Sequence, residues 1–167
     1  PLADRLFGTN ATLDRIGLRP GQRVLEIGPG PGRLLVPAAR RIEPEGEAVG
    51  LDVQPEMVER LRRRAAQAGV HNLTGVVGDG AALPFAPERF DVVFLVATLG
   101  EIADRKAAVR EASRVLARGG VLSITEGVFD PHRRPFNEVL RLAEDAGFAP
   151  RDEHRSRLGY TVNFTRR

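Results

Sequence analysis

Val24-Leu25-Glu26-Ile27-Gly28-Pro29-Gly30-Pro31-Gly32 is the stretch that decides the fold. Val24, Leu25 and Ile27 read as a short buried strand spanning Arg23 to Ile27. The glycine–proline loop after it leads into a helix read over Arg33 to Ile42, with Pro37 bending its first turn. Such a loop presents bare amide donors at the positive end of a helix dipole. Its glycines fall at 28, 30 and 32, and Arg33 stands where a dinucleotide site wants its third glycine. Glu26, two residues before the first glycine, would repel a pyrophosphate and attract an ammonium group.

Outward from this loop, turn signals separate short apolar runs from helical stretches, the βαβ rhythm. Strands are expected at 48–52, 73–77, 90–97 and 121–126. The 90–97 run is apolar on both sides, as at the centre of a parallel sheet. Pro55 opens a helix that Gly69 closes, with Met57, Val58, Leu61, Ala65 and Ala68 on its buried face. Arg62, Arg63 and Arg64 face out. Asp104 caps a helix running to Arg118, and Pro135 to Ala146 form another. Residues 1–18 read as an N-terminal helical segment, with Leu2, Leu6, Phe7, Leu13 and Ile16 buried, ahead of one domain over 19–167. Two extended stretches, 150–157 and 159–166, end the chain. Their link is too short for a parallel crossover, so the last strand runs antiparallel. Its alternation of Tyr160, Val162 and Phe164 with Thr161, Asn163 and Thr165 predicts one buried face. The fold class is therefore α/β: a three-layer, Rossmann-like sandwich on a mostly parallel sheet with an antiparallel last strand.

Composition narrows the chemistry. The 167 residues include no cysteine, which excludes disulfides, thiolate nucleophiles, Cys-ligated zinc and iron–sulfur clusters. His71, His132 and His154 share no metal-ligand spacing, so no metal is expected. The longest uncharged apolar run, Val92 to Gly100, is too short to cross a membrane. No signal peptide is visible, and a cytoplasmic location is expected. Pro1 opens the chain without a methionine, and the natural start is expected upstream. The net charge is +3, and Lys106 is the sole lysine among 25 basic residues. Residues 1–130 balance 17 basic against 17 acidic groups, while 131–167 hold 8 against 5. The excess lies wholly at the C-terminal end, where it is either a patch for an anionic partner or an arginine-rich composition. Arginines and aromatics do not interleave as single-stranded nucleic acid requires, so neither DNA nor RNA is expected as partner.

The glycine loop resembles motif I of the class I S-adenosylmethionine-dependent methyltransferases, in the group containing the ubiquinone/menaquinone-biosynthesis enzymes. Four further stretches share the resemblance in order: Gly50-Leu51-Asp52-Val53-Gln54-Pro55-Glu56-Met57; Gly78-Asp79-Gly80-Ala81-Ala82-Leu83-Pro84-Phe85; Phe90-Asp91-Val92-Val93; and Arg114-Val115-Leu116 to Gly119-Gly120. It runs from about residue 19 to the end and implies a seven-stranded sheet.

The resemblance also implies roles. Gly28, Pro29, Gly30 and Gly32 would carry the backbone under the methionine part of S-adenosylmethionine. Glu26 would hold the loop or approach the cofactor ammonium through water. Asp52 would accept both ribose hydroxyls. Val53 and Met57 would line the adenine, and Asp79 would accept its amino group beside the Gly80 and Ala81 backbone. Val96 and Ala97 would offer carbonyls to the ammonium.

Several departures narrow the reaction. Where many members carry a His pair, Thr98-Leu99-Gly100-Glu101 stands. The Asn/Asp-Pro-Pro-Tyr/Phe signature of DNA and glutamine methylation is missing, as is the Lys-Asp-Lys-Glu set of ribose methylation. The expected reaction is methyl transfer to a small-molecule or lipid-like acceptor. The alternative is a cofactor-binding module without its own turnover that works with a partner chain; a nicotinamide oxidoreductase is disfavoured by Arg33. A homodimer is one assembly open to the chain. An amine acceptor needs little beyond positioning, whereas a phenol, alcohol or carbon acid wants a base. Glu101 is the first candidate base, followed by Glu126 and His132, each with surface or capping duty as the competing reading. Phe7, Phe129 and Phe136 are candidates to line an acceptor pocket or to serve as core.

Overall fold

The computed structural model describes residues 8–167. The expectations placed on Leu2, Leu6 and Phe7 lie outside these residues. Helix α1 (Thr9–Ile16) leads into β1 (Arg23–Ile27), α2 (Leu35–Arg41), β2 (Glu47–Asp52), α3 (Pro55–Gln67), β3 (Leu73–Val77) and β4 (Phe90–Val96). A 3₁₀ turn (Leu99–Glu101), α4 (Arg105–Val115), β5 (Leu116–Gly127), α5 (Phe136–Asp145), β6 (Phe148–Ser156) and β7 (Gly159–Arg166) complete it. The seven strands lie in the order β3-β2-β1-β4-β5-β7-β6, parallel from β3 to β5. β7 runs antiparallel to both β5 and β6.

Alternate strand residues feed two cores. Val24, Val92 and Phe94 meet Leu13 and Ile16 of α1, Leu35 of α2 and Leu61 of α3 on one face. Leu25, Val93 and Leu95 meet Val109 and Ala112 of α4 and Leu142 and Ala143 of α5 on the other. The sheet is thus the middle of three layers. Leu61 of α3 packs against bare glycine Cα atoms on two other segments. A Cβ added at Gly32 would collide with it, and one at Gly50 would stand 2.7 Å from its Cδ2.

Three readings need correction. α2 starts two residues later than expected, because Pro37 has no N–H to donate to Arg33 O; the neighbouring bonds Val36 N–Gly32 O (3.3 Å) and Ala38 N–Leu34 O (2.9 Å) form turns instead. α4 ends at Val115, not Arg118. Leu116 turns extended, buries completely and pairs with Phe90, so the Gly119-Gly120 stop belongs to a strand rather than to a helix. β7 is covered on both faces. Thr161 bonds Thr125 Oγ1 (2.9 Å), and Asn163 donates to Arg15 O (2.7 Å) and Asp152 Oδ1 (2.6 Å). Polar residues alternate there because partners inside the fold meet most of their groups, Asn163 Oδ1 being left without one, and periodicity cannot distinguish this from exposure.

Strand order reverses between β1 and β4. In open α/β sheets a ligand crevice forms beyond the strand ends at such a point.

Candidate functional site

A cavity of about 540 Å³ opens at this reversal, over the C-terminal ends of β1, β2 and β4. Its floor is the glycine loop. Gly28 takes φ +73° and donates to Leu51 O (2.8 Å), which ties the end of β1 to β2. A Cβ there would strike the methyl of Thr98. Gly30 differs, with φ +51° and no atom within 4 Å of an added Cβ, so its face is open to a ligand. Gly32 does not line the cavity; its bare Cα makes room for Leu61.

Two carboxylates flank this floor. Asp52 ends β2, with Oδ2 accepting from Gly30 N (3.1 Å) and Oδ1 from Gln54 N (2.9 Å). Each oxygen retains a lone pair for a further donor. Glu26 is 2% exposed, and its Oε2 has no hydrogen-bond partner. Burial pushes its carboxyl up to about 8, Arg33 opposes this and Asp52 adds to it. An orphaned acidic group on a cavity wall suits a cation, which would restore the ionised form.

Of the remaining residues expected from the sequence, Pro29, Val53, Met57, Asp79, Gly80, Val96, Ala97 and Glu101 all line the cavity, while Ala81 does not. Ala81 N instead donates to Asp79 Oδ1 (2.8 Å), shaping the turn after β3. Val53 is 68% exposed on the rim, where its apolar side chain can face a ring. Ala97 takes φ +52°, a strained conformation for a residue with a Cβ, at the point where β4 gives way to the cavity. Glu101 lies in the 3₁₀ turn at the cavity's edge, exposed. The α4 cap is Asp104, whose side chain accepts from Ala107 N (2.9 Å).

The other candidate bases lie apart. Glu126 is buried beneath the loop after β5 and accepts from Arg134 N (3.0 Å), its carboxyl held up at about 7 mainly by burial. His132 is exposed outside the cavity, with its carbonyl against Gly100. Neither Phe129 nor Phe136 lines the cavity. Phe129 projects outward, and Phe136 packs edge-on against Tyr160 at 5.2 Å.

Thr98 was not singled out by sequence reasoning. It is 9% exposed, lines the cavity, and its hydroxyl lies 3.1 Å from Val96 O and 3.4 Å from Gly28 O. It thereby joins the ends of β1 and β4. The glycine at 28 was no signal of it, because a φ of +73° already calls for glycine there.

Comparison with known families supplies the identity. A methyltransferase-domain family matches residues 24–120, more than half of the chain. The chain belongs to the class I S-adenosylmethionine-dependent methyltransferases. It is 31% identical over 140 residues to a ubiquinone/menaquinone biosynthesis C-methyltransferase of Shewanella sp. (strain W3-18-1), covering 83% of this chain and 54% of that protein. The chain thus spans about half the length of the curated relatives it matches. A SAM-dependent methyltransferase from Aquifex aeolicus superposes with a TM-score of 0.89 at 23% identity, over 98% of this chain and 92% of the other. A Haloferax volcanii methyltransferase in complex with the Trm112 methyltransferase activator gives 0.80 at 21% identity, over 98% and 91%. At these identities the two structures establish the fold alone.

The site of this methyltransferase fits the family's cofactor, S-adenosylmethionine. The orphaned Glu26 oxygen offers a place for a cation, Gly30 leaves a bare strip of backbone, and Asp52 retains acceptor capacity beside it. Among the described residues no group of three or more His, Asp or Glu could hold a metal, and no helix is long and apolar enough to cross a membrane.

Proposed function

We propose that this chain transfers a methyl group from S-adenosylmethionine to a small, lipid-like acceptor admitted at the Glu101 side of the cavity. The observation that carries the reading is the grouping of a buried carboxyl with one unpartnered oxygen, Glu26 Oε2, an open glycine strip and Asp52 around one cavity. The cofactor supplies an activated methyl on a sulfonium. Glu26 and the Val96 and Ala97 carbonyls would hold its ammonium, Asp52 would take the ribose hydroxyls, Val53 and Met57 would line the adenine, and Asp79 would accept from its amino group. The protein's contribution is alignment of methyl and acceptor, worth ~7–11 kcal/mol in favourable cases. When the acceptor is a hydroxyl or carbon acid, its proton passes to the Glu101 carboxylate.

The C-methyltransferase relatives of ubiquinone and menaquinone biosynthesis support an acceptor that combines a ring with an apolar tail. A second reading, a cofactor-binding module acting with a partner chain, is favoured by the Haloferax volcanii methyltransferase and its activator. Calorimetry with S-adenosylmethionine and S-adenosylhomocysteine, followed by transfer of labelled methyl to ring-bearing lipid extracts, tests both. Binding of both cofactor forms with label in a lipid product is expected. Tight binding with no transfer until a second protein is added would replace the first reading with the second, and no binding would remove both.

A further inference from the structure

Among the described residues four large apolar side chains stand exposed: Val53, Val77, Val128 and Phe129. Val53 belongs to the cavity rim, and Val77 ends β3 opposite Asp52. Val128 and Phe129 lie elsewhere, at the tip of the loop after β5, with Phe129 72% exposed. Val128 N donates to Leu158 O (2.9 Å) in the turn between β6 and β7. Two loops distant in sequence therefore form one apolar tip. Gly127 pairs with Gly159, which places this tip at the C-terminal end of β5, the same end of the sheet as the cavity.

Arginines adjoin the tip. Arg157 is exposed in the β6–β7 turn. The Arg155 guanidinium lies 4.3 Å over the Phe136 ring, and that of Arg133 lies 5.8 Å over Tyr160. The two rings meet edge to face, so both cations rest on one aromatic base. They line a shared groove with Pro135, Phe136 and Asn137. A guanidinium held on a ring face keeps its edge donors for an anion and loses less freedom on binding one. Nearby acids are engaged or sparse. Glu138 pairs with Arg134 and Arg105, Asp130 accepts from His132 N, Glu126 is buried, and Glu153 stands 3.9 Å from Arg155. Over 128–135 and 155–159 there are four arginines and one acid, Asp130.

We propose that this tip docks the protein on an anionic phospholipid surface. Phe129 and Val128 enter the headgroup region, while Arg133, Arg155 and Arg157 take lipid phosphates. Cations arranged around an apolar point match such a surface in both charge and polarity. The inference rests on the lipid-like acceptor reading for its purpose, since docking brings the cavity end of the sheet to the lipid, but not for the binding itself.

The test is sedimentation of the whole chain with two kinds of vesicle, equal parts phosphatidylglycerol and phosphatidylcholine, or phosphatidylcholine alone. Binding to the mixed vesicles alone is expected, falling steeply with added salt. Arg157→Gln and Arg155→Gln should each weaken partition roughly fivefold. Phe129→Ser should weaken it roughly tenfold. Thermal melting checks that each variant folds; Arg157 is exposed and the salt series needs no variant. Failure to bind mixed vesicles, equal binding to both kinds, or wild-type partition of the arginine variants overturns the proposal. So does displacement by inorganic phosphate at the lipid phosphate concentration, which would make the groove a free-anion site. A dimer in gel filtration that Phe129→Ser dissolves overturns it as well, since a second copy would then cover the tip. Cofactor calorimetry on the same preparation separates failure of docking from failure of the methyltransferase reading.

Discussion

Replacing Glu26 with glutamine should remove a pH dependence from cofactor affinity. The wild-type carboxyl is buried, lacks a partner on Oε2 and is raised to about 8. At neutral pH it therefore holds its proton. A ligand ammonium arriving beside it favours the ionised form, so binding expels that proton. Below the free-protein value, each pH unit then changes affinity about tenfold, or about 1.4 kcal/mol. The assay is calorimetry with S-adenosylhomocysteine between about pH 5.5 and 7, safely below titration of an ordinary α-amino group. The logarithm of affinity should rise with a slope near one. Runs in two buffers of different ionisation enthalpy should show about one proton released per ligand. Glu26→Gln keeps the shape and cannot ionise, so its slope should be flat. The neighbouring titrating group, Glu126 at about 7, lies outside the cavity, and the variant leaves its contribution intact. A flat profile in the wild type, or an unchanged slope in Glu26→Gln, would refute the placement of the ammonium.

Asp52→Ala should weaken cofactor binding by ~1.5–3 kcal/mol, the scale of hydrogen bonds to a charged group, read by the same calorimetry. Gly30→Val should abolish binding with circular dichroism unchanged, because the added side chain enters open space that the ligand needs. Gly28→Ala should lower stability by ~1–3 kcal/mol in urea unfolding, and adding Thr98→Ala should restore only part of it, since the overlap is relieved and the positive φ is not. Glu101→Gln should lower turnover ~10²-fold on a hydroxyl or carbon acceptor with cofactor affinity and melting point unchanged, because Asp104 supplies the helix cap; unchanged turnover would favour an amine acceptor. Glu26 and Glu126 are both raised above their ordinary value, so the native chain binds more protons than the unfolded one up to about pH 7–8. Unfolding free energy should accordingly fall as pH rises from about 4.5 to 8, by up to about 1.4 kcal/mol per unit per group, and the double variant Glu26→Gln/Glu126→Gln should flatten it.

The sheet was legible because each strand announced itself by a local pattern. Phe90 to Val96 reads as central since apolar residues occupy both faces, and it lies between β1 and β5. Asp52 and the glycine loop were legible because backbone constraint concentrates there. What local pattern could not reveal was satisfaction at a distance. Asn163 and Thr161 look solvated until Arg15 O, Asp152 and Thr125 are seen around them. Leu116 looks helical until its pairing with Phe90 is seen. Glu126 and Glu101 both read as strand-end carboxylates, yet one is sealed under a loop and the other borders the cavity. Their difference lies in the path of residues 127–135, which carry no periodicity to read. Gly32 shares its motif with Gly30 and has another cause, the side chain of Leu61.

That leucine has a consequence for how this chain can vary. Its two methyl groups occupy the space a Cβ would need at both Gly32 and Gly50, on separate segments. Over Gly50 it shares that space with Leu35 Cδ2 (2.6 Å from an added Cβ) and Pro29 Cγ (2.9 Å), so side chains from α2, α3 and the glycine loop close on one bare Cα. Gly50→Ala should therefore be rejected even beside Leu61→Ala, which relieves only one of the three contacts. Homologous sequences should accordingly hold glycine at position 50 whatever the size at position 61, a constraint that would arise from packing with no ligand involved. At position 32 φ is +84°, so a side chain should fail there even with room provided.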